Sequence, residues 1–203
     1  MGTHDGTRRR ASAETPAEQV TTAAGVLAPT IALGAIFLAT VLSPTFTWTS
    51  EPLSFLGSSG EPTRPLFNYG LILGGLVSLP FAARLVGTAR NRLESVGGGA
   101  FALTGVAMAL VGGFPMGTEW HFPAAVSFYL LLSVSMWCYG GGNLLAGDRR
   151  VGATTVGLGL LNLLTWVVYV AVFAPTGLSL ALPEIVGALA LGGWTTATAF
   201  RLF

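Results

Sequence analysis

The chain has 203 residues, 52% of them hydrophobic and only 9% charged, with a formal net charge of +1. Soluble domains carry about 25% charged residues, so a chain this apolar cannot clothe a water-facing surface, and lipid is its expected solvent. The small net charge gives no reason to expect a nucleic-acid partner. Cys138, the single cysteine, rules out an internal disulfide or a cysteine metal cluster and reads as a packing residue.

Residues 1–22 are polar and poor in bulky apolar groups, with Arg8, Arg9 and Arg10 followed by Ser12, Thr15 and Pro16. They predict a disordered cytoplasmic N-terminal tail and not a cleavable signal peptide. Gly6 stands where a myristoylation pattern requires Ser or Thr. Residues 23–203 then predict an all-α membrane domain, a bundle of six transmembrane helices at roughly 24–43, 66–87, 95–115, 124–146, 151–173 and 183–202. These spans use up nearly the whole chain and leave no room for a separate soluble domain.

Every basic residue is an arginine, and their placement sets the expected orientation. Arg8, Arg9, Arg10, Arg84, Arg90, Arg92, Arg149, Arg150 and Arg201 fall on one side of a six-span chain, and only Arg64 falls on the other. The positive-inside rule then puts both termini in the cytoplasm of a multi-pass cell-membrane protein. Prolines punctuate the opposite side. Pro44, Pro115 and Pro175 follow spans one, three and five, and Pro65, Pro123 and Pro183 open spans two, four and six. Proline suits both places, so the chain reads as three outward hairpins. Pro80 predicts a kink in span two. Gly70 and Gly74, Gly140 to Gly142, and Gly192 with Gly193 predict close helix packing, within the chain or against a partner helix or second copy. Trp48 and Trp120 suit the headgroup belt.

Chemistry-bearing residues gather on the outward side. The outer loops carry Glu51, Ser54, Glu61, Arg64, Glu119 and His121, Glu184 opens span six, and Asn68 lies one turn into span two. Asn162, Trp166 and Tyr169 share a face of span five, with Tyr169 nearest the outer side. These positions predict an outward polar pocket containing Ser54, Asn68, Glu119, His121, Tyr169 and Glu184. His121 beside Glu119 suits a general base or a hydrogen-bonding ligand for a headgroup, or simply an interfacial helix cap. Glu184 suits a helix-start cap. Asn68 and Asn162 equally suit ties between helices. One core histidine with scattered carboxylates makes a poor zinc or haem site, so no metal and no cofactor are expected. Walker and nucleophile-elbow motifs are absent, as is a mid-membrane carboxylate for proton coupling.

Three stretches carry a family resemblance: Leu53-Ser54-Phe55-Leu56-Gly57, Leu66-Phe67-Asn68-Tyr69-Gly70-Leu71-Ile72, and Gly113-Phe114-Pro115 followed by His121 and an apolar aromatic run through Phe128. The chain resembles the prokaryotic integral membrane family called domain of unknown function 998, in a form similar to its haloarchaeal members, over most of residues 24 to 203. The resemblance implies six helices and an unassigned activity. Family members often carry an acidic residue within the first stretch, where this chain has Phe55, so the resemblance implies no acid there. The layout is also similar to eukaryotic membrane proteins linked to autophagy and to lipid-anchor remodelling, an analogy that points towards lipid. Three functions compete: binding, sensing or modifying a lipid headgroup from the outer leaflet; a non-enzymatic structural or accessory subunit; and a small-solute transporter.

Overall fold

A computed structural model describes residues 15–203, and the expectation of a disordered tail lies outside the described residues for positions 1–14. The described chain is built from six long helices: α1 (Pro16–Leu42), α2 (Arg64–Gly87), α3 (Arg92–Gly113), α4 (His121–Leu145), α5 (Arg149–Val168) and α6 (Ala181–Leu202). A short 3-10 turn, Leu53–Gly57, lies between α1 and α2. A π-helical turn, Tyr169–Phe173, continues α5 and gives way to a 3-10 turn at Ala174–Thr176. The protein is an all-α, multi-pass membrane bundle. Five of its helices are long and apolar enough to cross a membrane. The sixth, α6, is diluted by Glu184, Gly192, Gly193 and three threonines, and it turns Trp194, Thr195 and Thr198 into the interior.

The helices start where their caps are, which the apolar runs do not show. α1 begins at Pro16, inside the segment read as tail. Thr15 and Glu18 form a reciprocal capping box there, satisfying backbone amides at the helix start. Asn91 opens α3 by accepting from the amides of Leu93 and Glu94 at 3.1 and 3.0 Å. α2 runs unbroken through Pro80, and α1 likewise carries Pro29 in its interior.

Successive helices pack side by side, and α6 returns to α1, so the six form a closed ring. Inside a membrane this packing cannot rest on hydrophobic transfer, because lipid is as apolar as the core; it rests on close fit and polar ties. Small residues supply the fit. A Cβ on Gly97 would stand 2.5 Å from the amide nitrogen of Tyr139, so α3 and α4 meet backbone to backbone. Gly70 and Gly74 meet Ala35 and Ala32 of α1, and Gly140 meets Gly152 and Val156 of α5. Aromatic edges fill the centre: Trp194 lies 5.5 Å from Phe101 and 5.6 Å from Tyr139, ring to ring. α5 is the least enclosed helix, with only 11% of its apolar window buried.

The two ends of the bundle are chemically unlike. One end carries ion pairs: Arg84 with Glu18 at 2.8 Å, Arg90 with Glu94 at 2.6 Å and with Asp148 at 2.7 Å, and Arg201 with Asp148 at 3.3 Å. The other is closed by the loop between α1 and α2 and by the shorter loops between α3 and α4 and between α5 and α6. These are called the arginine end and the cap end below.

Candidate functional site

The cap is assembled by hydrogen bonds across distant stretches of chain. Glu184, in the first turn of α6, accepts from the amide of Leu53. Ser179, just before α6, has its hydroxyl between the carbonyls of Trp48 and Glu51, at 3.0 and 2.9 Å, which share its one hydrogen, and its amide donates to the carbonyl of Thr49. Glu61 accepts from the hydroxyls of Ser43 and Thr45, and Thr63 donates to the carbonyl of Leu56. The loop from 43 to 63 is therefore pinned along its length. Its 3-10 turn presses Leu53 and Leu56, 3% and 0% exposed, into the bundle.

Asn68 donates through Nδ2 to the carbonyl of Gly57 at 3.0 Å. A Cβ on Gly57 would collide with Oδ1 of the same carboxamide, which is why the turn ends in glycine. His121, at the start of α4, bonds through Nδ1 to the carbonyl of Phe114 at 2.8 Å. A carbonyl only accepts, so Nδ1 donates, and Nε2 is the ring nitrogen left for a ligand. The Ser54 hydroxyl reaches Met116 Sδ at 3.7 Å, tying the turn to the loop between α3 and α4. Each of the three stretches that carry the family resemblance thus supplies part of the cap: one is the turn, one pins it, and one holds His121.

Beneath the cap lies a cavity of about 80 Å³ between α1, α2, α3, α4 and α6. One water needs roughly 10–15 Å³ on this measure. Ser54, His121 and Glu184 line it at the cap end. Glu184 is 7% exposed, and the Ser54 backbone and hydroxyl lie within electrostatic reach of its carboxyl group. The walls below are apolar or small, including Ala32, Ile36, Leu71, Met108 and Leu191. Ser78 and Thr195 are its deepest polar residues. Each spends its hydroxyl on its own helix, Ser78 on the carbonyl of Gly75 and Thr195 on that of Leu191, both at 2.7 Å.

The six residues expected to form the pocket therefore separate. Ser54, His121 and Glu184 share the cavity. Asn68 is buried beside it and ties the cap to α2. Glu119 is exposed in the loop before α4 and forms no bond to His121. Tyr169 lies in the π-helical turn and donates to the carbonyl of Leu178 at 2.8 Å, bracing the loop into α6. Asn162 is 1% exposed and donates to the carbonyl of Tyr129 and the hydroxyl of Ser133, at 3.0 and 2.9 Å, so it ties α5 to α4.

Sequence reading missed Leu53, Met116 and Ser179 in the cap. Their partners lie up to 131 residues away, and no local pattern marks them. It also missed Glu94, which is 1% exposed.

No curated protein and no solved structure matches the chain. One family profile does, across nearly all of the bundle. With residues 26–201 matched, the chain belongs to the family described as "Protein of unknown function (DUF998)".

Proposed function

We propose that this protein binds a membrane lipid, or a lipid-like amphiphile, with the polar head at the cap end of the bundle. The observation that supports this reading is the shared cavity of Ser54, His121 and Glu184, three residues from separate parts of the chain, above walls that are apolar but for Ser78, Tyr129 and Thr195, whose hydroxyls are bonded to backbone carbonyls. A polar mouth on an apolar chamber matches an amphiphile and not a wholly polar solute. The arginine distribution favours a cell-membrane orientation with both termini in the cytoplasm, which turns the cap outward. Within this reading, sensing needs only the binding site, whereas modification would use His121 Nε2 or the Glu184 carboxyl group as the proton-handling group.

The test is to purify the full chain from native membranes and identify retained lipids by mass spectrometry. Substituting His121→Ala and Ser54→Ala should deplete one retained species while leaving bulk lipid unchanged. An identical profile from wild type and both variants sinks the reading.

A second reading, an accessory subunit that packs a partner helix, is favoured by the bare surface of α5. The paired glycines of α2 and α4 are already filled from within the chain, so a partner helix or second copy would use α5. Cross-linking in native membranes that finds only monomers removes it. A transporter reading requires a water path through the midplane, where the deepest polar groups of the described cavity, the Ser78 and Thr195 hydroxyls, are bonded to their own helices.

A further inference from the structure

The cavity's shape and charge narrow what it accepts, an inference that rests on the lipid-binding reading above. On α6 its lining runs from Glu184 to Thr195, and on α2 from Phe67 to Ser78. At 1.5 Å per residue either stretch measures roughly 16 Å along the helix. The cavity therefore extends from the cap about halfway through a hydrocarbon core of ~30 Å. On the measure by which one water takes roughly 10–15 Å³, about 80 Å³ spread over that length is a tube roughly 5 Å across. It has room for one extended hydrocarbon chain and none for two side by side. Its floor offers no free donor, because the Ser78 and Thr195 hydroxyls are both spent on their own helices. A chain terminus loses nothing there.

Charge decides the head. Among the described residues, Glu184 is the only acidic side chain on the cavity wall, and no arginine lines it. Arg64, the arginine nearest the cap in sequence, is exposed at the start of α2 and lies outside the lining. A phosphate or carboxylate head would meet a buried carboxyl group with no guanidinium to offset it, which is strongly unfavourable away from water. A head that donates hydrogen bonds finds acceptors in Glu184, Ser54 and His121.

We propose that the cavity is the binding site for a single-chain amphiphile with a non-anionic, hydrogen-bond-donating head, a long-chain alcohol or amine, held head to the cap and chain inward between α1, α2, α3 and α6. Two-chain phospholipids remain outside, against the lipid-facing surface.

The experiment uses the full chain in phosphatidylcholine nanodiscs and a dodecanol probe carrying a photoreactive diazirine at mid-chain. Adducts are mapped by peptide mass spectrometry, with dodecanol, dodecylamine and dodecyl phosphate as competitors. The expected result is labelling at Leu71, Met108 or Leu191, suppressed at least about tenfold better by the alcohol or amine than by the phosphate. Ala188→Phe, which fills the channel, should cut labelling by about tenfold. The competition series on unaltered protein decides the matter if that variant fails to fold. Stronger competition by the amine than by the alcohol in unaltered protein, lost in Glu184→Gln, assigns a cationic head, and equal competition by the two in unaltered protein assigns a hydroxyl head. Labelling confined to lipid-facing Leu38 and Leu73, or equal competition by the phosphate, overturns the proposal. If lipid retention still depends on His121 while labelling stays outside the channel, the head site stands and the chain channel falls. If both signals are absent, both readings fall.

Discussion

The arginine end and the cap end are held by opposite kinds of interaction. At the arginine end, charges pair across helices that already touch backbone to backbone. Glu94 lies buried between Arg90 and the α4 backbone, and Asn91 reaches across to the carbonyl of Gly142 at 2.9 Å. Gly97, one turn further along α3, removes any gap. At the cap end, hydrogen bonds from backbone amides and hydroxyls fasten a loop over a void. One end has density and charge, and the other has a hydrogen-bonded cover and empty volume. Stability should therefore concentrate at the first and ligand chemistry at the second.

The sharpest way to break that contrast is at Gly97. Leucine there drives a side chain into the Tyr139 backbone and should cost about 3 kcal/mol or more. The expected outcome is loss of the monodisperse peak in fluorescence-detected gel filtration. Glu94→Ala comes next. It strips Arg90 of its buried partner, although Arg90 is 44% exposed and keeps Asp148. The cost should be about 2 kcal/mol, less than for a fully buried pair, read as a lowered thermal midpoint in detergent with lipid retention intact. Asn68→Ala should cost about 1 kcal/mol by orphaning the Gly57 carbonyl. Its signature is local: faster hydrogen exchange over residues 44–63 and a weakened lipid signal, with the midpoint nearly unchanged. A large global loss from Asn68→Ala, or a binding defect from Glu94→Ala, would erase the distinction between the ends.

The smallest effect concerns acid. A hydrogen bond from Arg90, aided by the charges of Arg90 and Arg201, holds the Asp148 carboxyl below its ordinary range. A depressed carboxyl contributes stability that is fully present above its unfolded pKa, about 3.9, and is lost as pH falls through the lower folded value. The part of the midpoint that Asp148 contributes should therefore be constant near neutrality and fall below about pH 4. The fall should be shallower in Asp148→Asn. Because Asp148 is half exposed, the difference should be slight.

The bundle was legible in sequence because apolar length is a coarse signal that lipid enforces everywhere. Helix ends were less so. Apolar runs mark where lipid begins, whereas the Thr15–Glu18 box and Asn91 mark where backbone amides find partners. α5 keeps to its apolar run but changes form within it: Tyr169 to Phe173 continue it as a π turn ahead of Pro175, which has no amide to give. In the candidate site, polarity gathers Ser54, His121 and Glu184 towards one end of the chain's hairpins, but it does not say which polar groups face inward. Asn68, Glu119 and Tyr169 have similar chemistry and sit near the same plane, yet they brace, face solvent and tie a loop. Direction is set by helix rotation and loop path, which depend on contacts such as Leu53 with Glu184, 131 residues apart.

That contact also constrains biogenesis. The loop after α1 leaves the ribosome early, but its fastenings at Ser179 and Glu184 are made more than a hundred residues later. Until α6 is threaded into the bilayer, the carbonyls of Trp48 and Glu51 and the amide of Leu53 lack their partners, and the cavity lacks one wall. Insertion of α6 is then the step at which the cap-end cavity can first be closed.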